Sequence, residues 1–427
     1  RDAQESRGLG DVYKRQDLGC DTAFKLGGAL TEISEVEAPI IVTGSDTRES
    51  GSELLSALVE GIIDKGGNPV NIGILPTAAV AYFTRVTGAQ FGVMVSASHN
   101  PPEYNGLKVF DKTGVKLCRT KEKELERIIN REEVYVRPMT AFPVIKNARD
   151  LYLRHLIKRA PNLTGMNIAL DCGHGAAGSI AREAFESAGA KVLMLNESPD
   201  GTLINFRCGA TDTCGLERVT KRGKYRLGFA FDGDADRLAV VEGGYPIHTE
   251  SVFYIFSRYL YSAGLIHEVV GTVVTNAGLE ENLSELGIKV HRSNVGDREV
   301  YALMNNKGAR FGGESSGHYI LSAYGACADA VANALLLAGI SKDVGSLSEY
   351  ASPLRLKPSA LLNIPDRISD ETRKQVEEKA KEQFGDSRIV LRKSGTEPKI
   401  RILVESSSCE RANEVAARIA EMCGGEK

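Results

Sequence analysis

The sequence has 427 residues, of which 42% are hydrophobic and 44 are glycine, and this length predicts about three or four globular domains. Its 53 basic and 56 acidic residues are interspersed and leave a net charge of -3, which gives no basic field for nucleic acid and no polybasic patch for a membrane. The eight cysteines form no C-x-x-C pair, and the apolar runs fall short of the roughly 20 residues that span a bilayer. We therefore expect a cytoplasmic protein with a small-molecule partner.

The first segment, residues 1–16, is dense in charge and shows neither helical periodicity nor strand alternation, whereas globular patterning begins near Phe24. We interpret this segment as an artefact of sequence assembly, with a native disordered tail as the alternative. Beyond it, short β-branched runs alternate with helical stretches, which is typical of α/β domains with mainly parallel strands.

The first block places a serine loop after its third strand. Its predicted elements are strands Ile40–Val42, Pro69–Ile72 and Phe91–Val95, with helices Glu53–Lys65 and Ala78–Thr87. Ser98 follows in S-A-S-H-N-P, at a strand's carboxyl end, where α/β sheets place ligand-binding residues. Its hydroxyl is a candidate nucleophile or phosphate carrier, although a plain turn uses the same residue types. Lys108 heads the next short strand and is a candidate general acid or base.

The second block delivers three aspartates from one loop. Its predicted elements are helices Ala148–Arg159 and Ala177–Ala188, with strands Asn167–Asp171, Lys191–Leu195 and Leu227–Phe231. Asp232, Asp234 and Asp236 follow at alternate positions, and converging carboxylates favour a hard cation such as magnesium over a merely solvated turn. An EF-hand calcium loop is excluded, because Arg237 and Gly243 stand where glycine and glutamate are required. Arg237 could pair with a carboxylate or with phosphate.

The third block carries a loop suited to sugar hydroxyls. Its predicted elements are strands Val269–Thr275 and Lys289–Arg292, with helices Leu279–Leu286 and Asp329–Ala338. The loop G-G-E-S-S-G-H offers the carboxylate of Glu314, the hydroxyl of Ser316 and the imidazole of His318. An ordinary glycine-serine turn with a core histidine is the alternative.

The last block follows Pro353–Pro365, which reads as a linker, and has α+β character. Its predicted elements are helices Glu371–Phe384 and Glu410–Cys423, with strands Arg388–Leu391 and Ile400–Glu405. The loop R-K-S-G-T-E-P-K between the strands combines cations, hydroxyls and glycine-freed amides, as phosphate nests do; an exposed basic turn is the alternative.

With these four loops in this order, the chain resembles the α-D-phosphohexomutase family over roughly residues 20–425. The resemblance implies an α/β fold of three similar mixed α/β domains plus a C-terminal α+β domain around a central cleft. The expected domains are 17–143 with the phosphoserine loop, 144–245 with the metal loop, 246–355 with the sugar loop and 356–427 with the phosphate loop; residues 1–16 stay unmatched.

The resemblance also implies roles for single residues. Ser98 would carry a phosphoryl group and, with Asp232, Asp234 and Asp236, bind one Mg²⁺ per chain. Lys108 and His318 would move protons, and Arg237 would offset charge. Two sets would bind the substrate: Glu314 and Ser316 for sugar hydroxyls, and Arg392, Ser394, Gly395 and Thr396 for the phosphate that is not reacting. A sugar 1,6-bisphosphate would act as activator.

Within the family, the Gly296-Asp297-Arg298 triplet, G-E-S-S-G-H and R-K-S-G-T-E-P together resemble phosphoglucosamine mutases. The implied activity is an isomerase that interconverts glucosamine 6-phosphate and glucosamine 1-phosphate through phosphoserine and a bisphosphorylated sugar. Phosphomannomutase/phosphoglucomutase activity is the alternative. The expected partner is a hexose or hexosamine phosphate, and the expected state is a monomer or homodimer.

Two departures from the family pattern leave other functions open. The family's N-terminal arginine loop has no counterpart, because residues 1–16 stand in its place, and residues 323–329 lack the expected glycine pattern, with Asp329 the remaining carboxylate. A catalytically impaired sugar-phosphate-binding protein is therefore an alternative. A phosphatase with a nucleophile in the Asp232 loop is another, but it would leave Ser98 without a role.

Overall fold

The computed structural model describes residues 13–14, 18–129, 144–394 and 398–424. Within these ranges the α/β class is confirmed, since three units with mixed sheets precede a smaller antiparallel one. None of the helices in these ranges is long and apolar enough to cross a membrane.

The first unit builds the sheet that presents Ser98. Its elements are β1 (Tyr13–Lys14), α1 (Cys20–Glu32), β2 (Ile40–Ser45), α2 (Gly51–Asp64), β3 (Asn68–Ile74), α3 (Thr77–Val86), β4 (Phe91–Val95), β5 (Tyr104–Asn105), β6 (Leu107–Asp111) and α4 (Arg119–Ile129). The sheet order is β3-β2-β4-β6, with only β6 antiparallel to its neighbour. All the predicted strands and helices of this unit are confirmed, with ends shifted by a few residues.

Three elements of this unit go beyond the sequence prediction. Strand β1 lies in the segment expected to contain no strand and pairs antiparallel with β5. Helix α1 is buried along most of its second half, so it lacks the one-sided apolar period that marks a surface helix. Helix α4 is highly charged and buries only Leu125, which leaves too small an apolar stripe to predict it.

The second unit is a five-stranded sheet of order β11-β10-β9-β7-β8, in which β7 is parallel to β8 and β9. Its elements are α5 (Ala148–Ile157), β7 (Asn167–Asp171), α6 (Ala181–Ser187), β8 (Lys191–Leu195), α7 (Cys214–Lys221), β9 (Leu227–Phe231), β10 (Leu238–Glu242) and β11 (Tyr245–Ile247). The predicted helix over 177–188 is split, because residues 176–179 form a separate 3₁₀ turn.

The third unit has sheet order β13-β12-β14-β15, parallel except for β15. Its elements are α8 (Thr249–Ser262), β12 (Glu268–Thr272), α9 (Ala277–Glu285), β13 (Lys289–Ser293), α10 (Asp297–Lys307), β14 (Phe311–Gly313), β15 (Tyr319–Leu321), α11 (Ala330–Val344) and α12 (Leu347–Tyr350). Asp329 is the N-cap of α11: its side chain accepts from Ala332 N, and it also accepts from the hydroxyl of Tyr152 at 2.6 Å. The remaining carboxylate of residues 323–329 therefore caps the N-terminus of α11.

The C-terminal unit corrects one prediction. Its elements are β16 (Ser359–Pro365), α13 (Asp370–Gln383), β17 (Arg388–Lys393), β18 (Lys399–Glu405) and α14 (Cys409–Met422), in sheet order β16-β18-β17. The linker prediction for Pro353–Pro365 is wrong from Ser359 onward, because β16 pairs with β18 along its whole length. Pro365 is tolerated there because it ends an edge strand, where a missing N–H costs little.

The first three units share a hydrophobic core, and the C-terminal unit has its own. One cluster of buried apolar side chains runs through the first three units and includes Phe83, Phe229 and Phe256. The C-terminal unit closes a separate core around Ile402 and Ile419. The first three units therefore share hydrophobic burial that the last unit does not.

Candidate active site

Ser98 lies where the buried strand β4 ends, and it faces the aspartates of the second unit. Its side chain is nearly buried, at 7% exposed, and its Oγ donates to Asp232 Oδ2 at 2.6 Å. Asp236 Oδ1 lies 3.4 Å from the same hydroxyl. The serine and the aspartate loop, more than a hundred positions apart in sequence, thus meet at hydrogen-bond distance.

The three aspartates form one compact cluster directly after β9. Asp232, Asp234 and Asp236 are all buried, and one carboxylate oxygen from each lies within 4.8 Å of the others. Burial, and then the neighbouring charges of Asp236 and Asp234, raise the pKa of Asp232 to about 7. Oδ1 of Asp234 is buried and has no hydrogen-bond partner among the described residues. Hard oxygen donors with an unpaired buried oxygen fit a divalent cation.

Lys108, the second residue of β6, supplies positive charge to this cluster. Its Nζ lies 2.7 Å from Asp236 Oδ2 and also contacts Asp234. Burial by itself lowers the pKa of Lys108, but Asp234 and Asp236 outweigh it and hold that pKa above its ordinary value. The ammonium is therefore protonated beside Ser98's acceptors.

His318 joins the sugar-type loop of the third unit to the same cluster. Its Nε2 lies 3.0 Å from Asp236 Oδ1, and its Nδ1 lies 2.9 Å from Ser316 Oγ. Burial by itself lowers the pKa of His318, but the carboxylate of Asp236 raises it by more, so the pKa lies above its ordinary value. Glu314, in the same loop, accepts from Gly296 N at 2.9 Å. The loop between β14 and β15 therefore presents a carboxylate, a hydroxyl and an imidazole together.

Arg237 lies at the edge of the aspartate cluster. Its Nε is 3.9 Å from Asp232 Oδ2, an ion-pair distance beyond hydrogen-bond reach, and this buried Nε has no hydrogen-bond partner among the described residues. Of the two alternatives raised for Arg237, the structure shows the pairing with a carboxylate, and phosphate binding stays a prediction.

The fourth loop is only partly described. Arg392 is near the end of β17 and Ser394 follows it, whereas Gly395 and Thr396 lie outside the described residues. Burial, followed by the like charge of Arg401, lowers the pKa of Arg392, and Glu314 acts on it in the opposite sense. Arg392 therefore lies close enough to Glu314 of the third unit for the two charges to interact.

Several contacts around the site were not predicted from the sequence. Thr77, the first residue of α3, donates its hydroxyl to Asp234 Oδ2 and its N–H to Asp234 O at 2.9 Å. Lys116 and Asp297 form a partly buried ion pair at 2.5 Å between the first and third units. The G-D-R triplet could have indicated that Asp297 lies at the site, whereas no local sequence pattern indicates this for Thr77 or Lys116.

Comparisons with known proteins find family models that match all four units of the chain. Four family models match in chain order: phosphoglucomutase/phosphomannomutase alpha/beta/alpha domain I at residues 2–136, domain II at 150–244, domain III at 248–355 and the C-terminal domain at 356–422. The first match begins inside residues 1–16, so the separation of that segment, and the domain boundaries drawn from the sequence, stay predictions.

A curated relative covers almost the full length. The phosphoglucosamine mutase of Clostridium acetobutylicum is 39% identical over an alignment of 431 positions, which covers 95% of this chain and 95% of the relative. Two solved structures share the fold. A phosphoglucomutase/phosphomannomutase family protein from Burkholderia thailandensis has a TM-score of 0.83 at 22% identity and 98% coverage of both chains. The N-acetylphosphoglucosamine mutase of Aspergillus fumigatus, in complex with GlcNAc-6P and magnesium, has a TM-score of 0.59 at 17% identity, covering 81% of this chain and 91% of that one.

Proposed function

This chain is a member of the phosphoglucomutase/phosphomannomutase family, and from that premise we propose that it interconverts glucosamine 6-phosphate and glucosamine 1-phosphate. It is a phosphohexomutase, an isomerase of carbohydrate metabolism. The choice of glucosamine phosphate is supported by the 39% identical relative, which is named phosphoglucosamine mutase. The observation that carries the reaction is the 2.6 Å contact between Ser98 Oγ and Asp232, inside a cluster of three buried carboxylates.

The aspartate cluster fits the metal ion that the family implies. Asp232, Asp234 and Asp236, joined by an oxygen on Ser98, would hold Mg²⁺, and the unpaired Oδ1 of Asp234 supports this. When bound, the ion would offset negative charge on phosphoryl oxygens. The Aspergillus mutase of the same fold was solved with magnesium.

In this proposal Ser98 carries a phosphoryl group and transfers it to the free hydroxyl of a sugar monophosphate. The P–O bond to Ser98 breaks and a P–O bond to the sugar forms, while Ser98 Oγ gains a proton from Lys108 and the proton that the sugar hydroxyl releases returns to Lys108. Protonated Lys108 would supply the proton to Ser98 Oγ, and Arg237 would offset charge on the moving group. The resulting sugar bisphosphate reorients in the cleft and returns its other phosphoryl group to Ser98. Because a bisphosphate can phosphorylate Ser98 in this way, a sugar 1,6-bisphosphate would act as activator.

The third and fourth loops would hold the sugar while it reacts in two orientations. Glu314 and Ser316 would bind sugar hydroxyls, and His318 would assist proton movement, because its imidazole bridges Ser316 and Asp236. The four fourth-loop residues named above, Arg392, Ser394, Gly395 and Thr396, would bind the phosphate that is not reacting. The grips recognise hydroxyls and phosphate, so one site can serve both phosphorylation positions.

The first test measures the turnover of three sugar phosphates. Purified enzyme in Mg²⁺ is assayed with glucosamine 6-phosphate, glucose 6-phosphate and mannose 6-phosphate, each with and without glucose 1,6-bisphosphate, and again after EDTA. We expect kcat/KM to be at least about tenfold higher for the glucosamine substrate, a transition-state preference of about 1.4 kcal/mol, and turnover to be lost in EDTA.

Ser98→Ala and the partly exposed Ser34→Ala form a matched pair for the phosphoryl carrier. Ser34→Ala is expected to keep one phosphate by mass and full turnover, whereas Ser98→Ala loses both. Full turnover by Ser98→Ala would falsify the phosphoserine route. A preference for glucose or mannose phosphate would instead assign the alternative phosphomannomutase/phosphoglucomutase activity.

A further inference from the structure

The backbone of Ser98 is held in an unfavourable conformation. Its φ is +53°, in the left-handed region that residues other than glycine rarely adopt, and it lies in a loop between β4 and β5 without regular secondary structure. Such a conformation persists only when the surrounding contacts determine it. The contacts that surround Ser98 are therefore part of what positions its hydroxyl.

One buried arginine, Arg48, contacts Ser98 and several of the residues that follow it. It lies just before α2 and is 3% exposed. Its guanidinium donates to four carbonyl groups of the serine loop: Ser98 at 2.9 Å, Asn100 at 2.8 Å, Pro101 at 2.6 Å and Tyr104 at 2.8 Å. Its Nε donates to Asp46 Oδ2 at 3.0 Å. A guanidinium has five N–H donors, so every one of them has an acceptor.

The same network also fixes the other side of the Ser98 peptide. Asp46 Oδ2 accepts from Ser96 Oγ at 2.7 Å, and Ser96 Oγ in turn accepts from Ser98 N at 2.9 Å. Ser98's N–H is thus tied to Asp46, and its carbonyl to Arg48. Both ends of one strained residue are held by one ion pair.

The network extends to the unit that carries the aspartates. Asn205 Nδ2 donates to Ser98 O at 2.9 Å and to Asn100 O at 3.1 Å. Thr47, next to Arg48, donates its hydroxyl to His174 O at 2.6 Å. The segment with Arg48 is therefore clamped against the second unit, and this fixes the serine loop relative to Asp232.

A saturated guanidinium has no donor left for a substrate phosphate, so Arg48 differs in kind from Arg237 and Arg392. We propose that Arg48 is a positioning residue, which sets the placement of Ser98 Oγ for phosphoryl transfer without contributing to sugar-phosphate binding. The inference rests on the proposed phosphoserine mechanism. Misplacement of a reacting atom by about 1 Å can cost about a hundredfold in rate.

The test compares Arg48→Lys with Arg292→Lys. Arg292 is a suitable control because, although only partly buried, it likewise donates to backbone carbonyls and to a carboxylate, and it lies in the third unit. Its acceptors are Thr272 O at 3.1 Å, Thr275 O at 2.6 Å and the carboxylate of Glu280. Lysine keeps the charge but cannot make five directed bonds. We expect Arg48→Lys to lower kcat about a hundredfold while KM for glucosamine 6-phosphate stays within about twofold, and Arg292→Lys to keep kcat.

Hydrogen–deuterium exchange gives a readout that is independent of turnover. Arg48→Lys is expected to lose amide protection in residues 96–105 but not in β9, and circular dichroism checks that it is folded. If Arg48→Lys does not fold, Ser96→Ala removes a single hydroxyl of the same network and is expected to lower kcat about tenfold, the effect of one lost hydrogen bond.

The outcomes separate the two proposals. Wild-type kcat in folded Arg48→Lys, or in Ser96→Ala where that variant is used, would overturn the inference alone. A raised KM with unchanged kcat would overturn it too, because Arg48 would then act in binding. A wild-type chain that turns over none of the sugar phosphates would overturn the proposed function itself.

Discussion

At the scale of single residues, the site balances buried charge through partners that are far apart in the chain. Lys108 of the first unit contacts Asp234 and Asp236 of the second, and His318 of the third contacts Asp236. Each partner removes part of the cost of burying a carboxylate. The same pairing keeps Lys108 protonated, as its proposed role as proton donor to Ser98 requires.

Glu250, in α8, is a buried carboxylate, and its neighbours only partly offset the free-energy cost of burying its negative charge. Burial raises its pKa from an ordinary 4.5 to about 7; Glu405 adds to the rise, and Asn276 N, Arg292 and Arg388 oppose it. Below about pH 4.5 both the folded and the unfolded chain hold the proton. Between about pH 4.5 and 7 only the unfolded chain has released it, so the free energy of unfolding falls as pH rises and then levels off.

Glu250→Gln is therefore expected to match the wild type near pH 4 and to be more stable above pH 7 by up to about 3 kcal/mol. Urea unfolding at pH 4, 6 and 8 measures this difference. The exposed Glu378→Gln serves as the control and should show no pH-dependent gain. A Glu250→Gln variant that gains nothing between pH 4 and pH 8 would contradict the raised pKa.

At the scale of elements, each functional loop directly follows a strand, but helix packing decides how the first sheet is covered. Helices α1 and α2 approach closely at Gly27 and Gly61: a Cβ at Gly61 would collide with the carbonyl of Phe24, and one at Gly27 with that of Leu58. The glycines lower helix propensity, yet they allow the backbones to touch. These positions require glycine because the two helices approach closely there, and not because the backbone needs a positive φ.

Gly61→Ala is accordingly expected to lower the free energy of unfolding by about 3 kcal/mol, because the two helices must move apart. Gly215→Ala in α7 is the matched control, since a Cβ there meets no atom within 4 Å, and it should be neutral or slightly stabilising. Chemical denaturation of the two variants side by side measures the contrast. Equal stabilities would show that α1 and α2 can adjust without cost.

At the scale of the whole molecule, polar contacts hold the C-terminal unit against the third. Arg388 donates to Thr275 O and Val273 O and pairs with Glu405 at 2.9 Å. Glu405 also accepts from Ala277 N, at the start of α9, at 3.0 Å. Since this unit has its own core, we expect such directed contacts to set its orientation and, with it, the position of Arg392.

Arg388→Met is therefore expected to raise KM for glucosamine 6-phosphate about tenfold, equivalent to about 1.4 kcal/mol, while kcat changes less. Steady-state kinetics measures both constants, and small-angle scattering should show a larger radius of gyration. Arg411→Met is the control, because Arg411 pairs with Asp386 and Glu414 inside the C-terminal unit. A normal KM in Arg388→Met would mean that this contact does not orient the loop.

The sequence predicted much of the fold and the location of the candidate site because both depend on local patterns. Alternation and apolar runs mark β4 and β9, and the chemistry follows directly in Ser98 and in Asp232, Asp234 and Asp236. Helix α1 and strand β16 were missed, since the first is buried on too many sides and the second lies among prolines. In both cases the tertiary neighbours override the local signal.

By itself, the sequence determined the α/β class, the order of the four loops and their residue types, because period and composition are properties of neighbouring residues. Only the tertiary structure decided the 2.6 Å contact of Ser98 with Asp232, the ion pair of Lys116 with Asp297, and the hydrogen bonds of Arg48 to the carbonyls of Ser98, Asn100 and Pro101. Contacts between residues distant in the chain leave no period in it. They arise when the sheets and the shared core bring the units together, and buried polar groups must then find partners among whatever lies beside them.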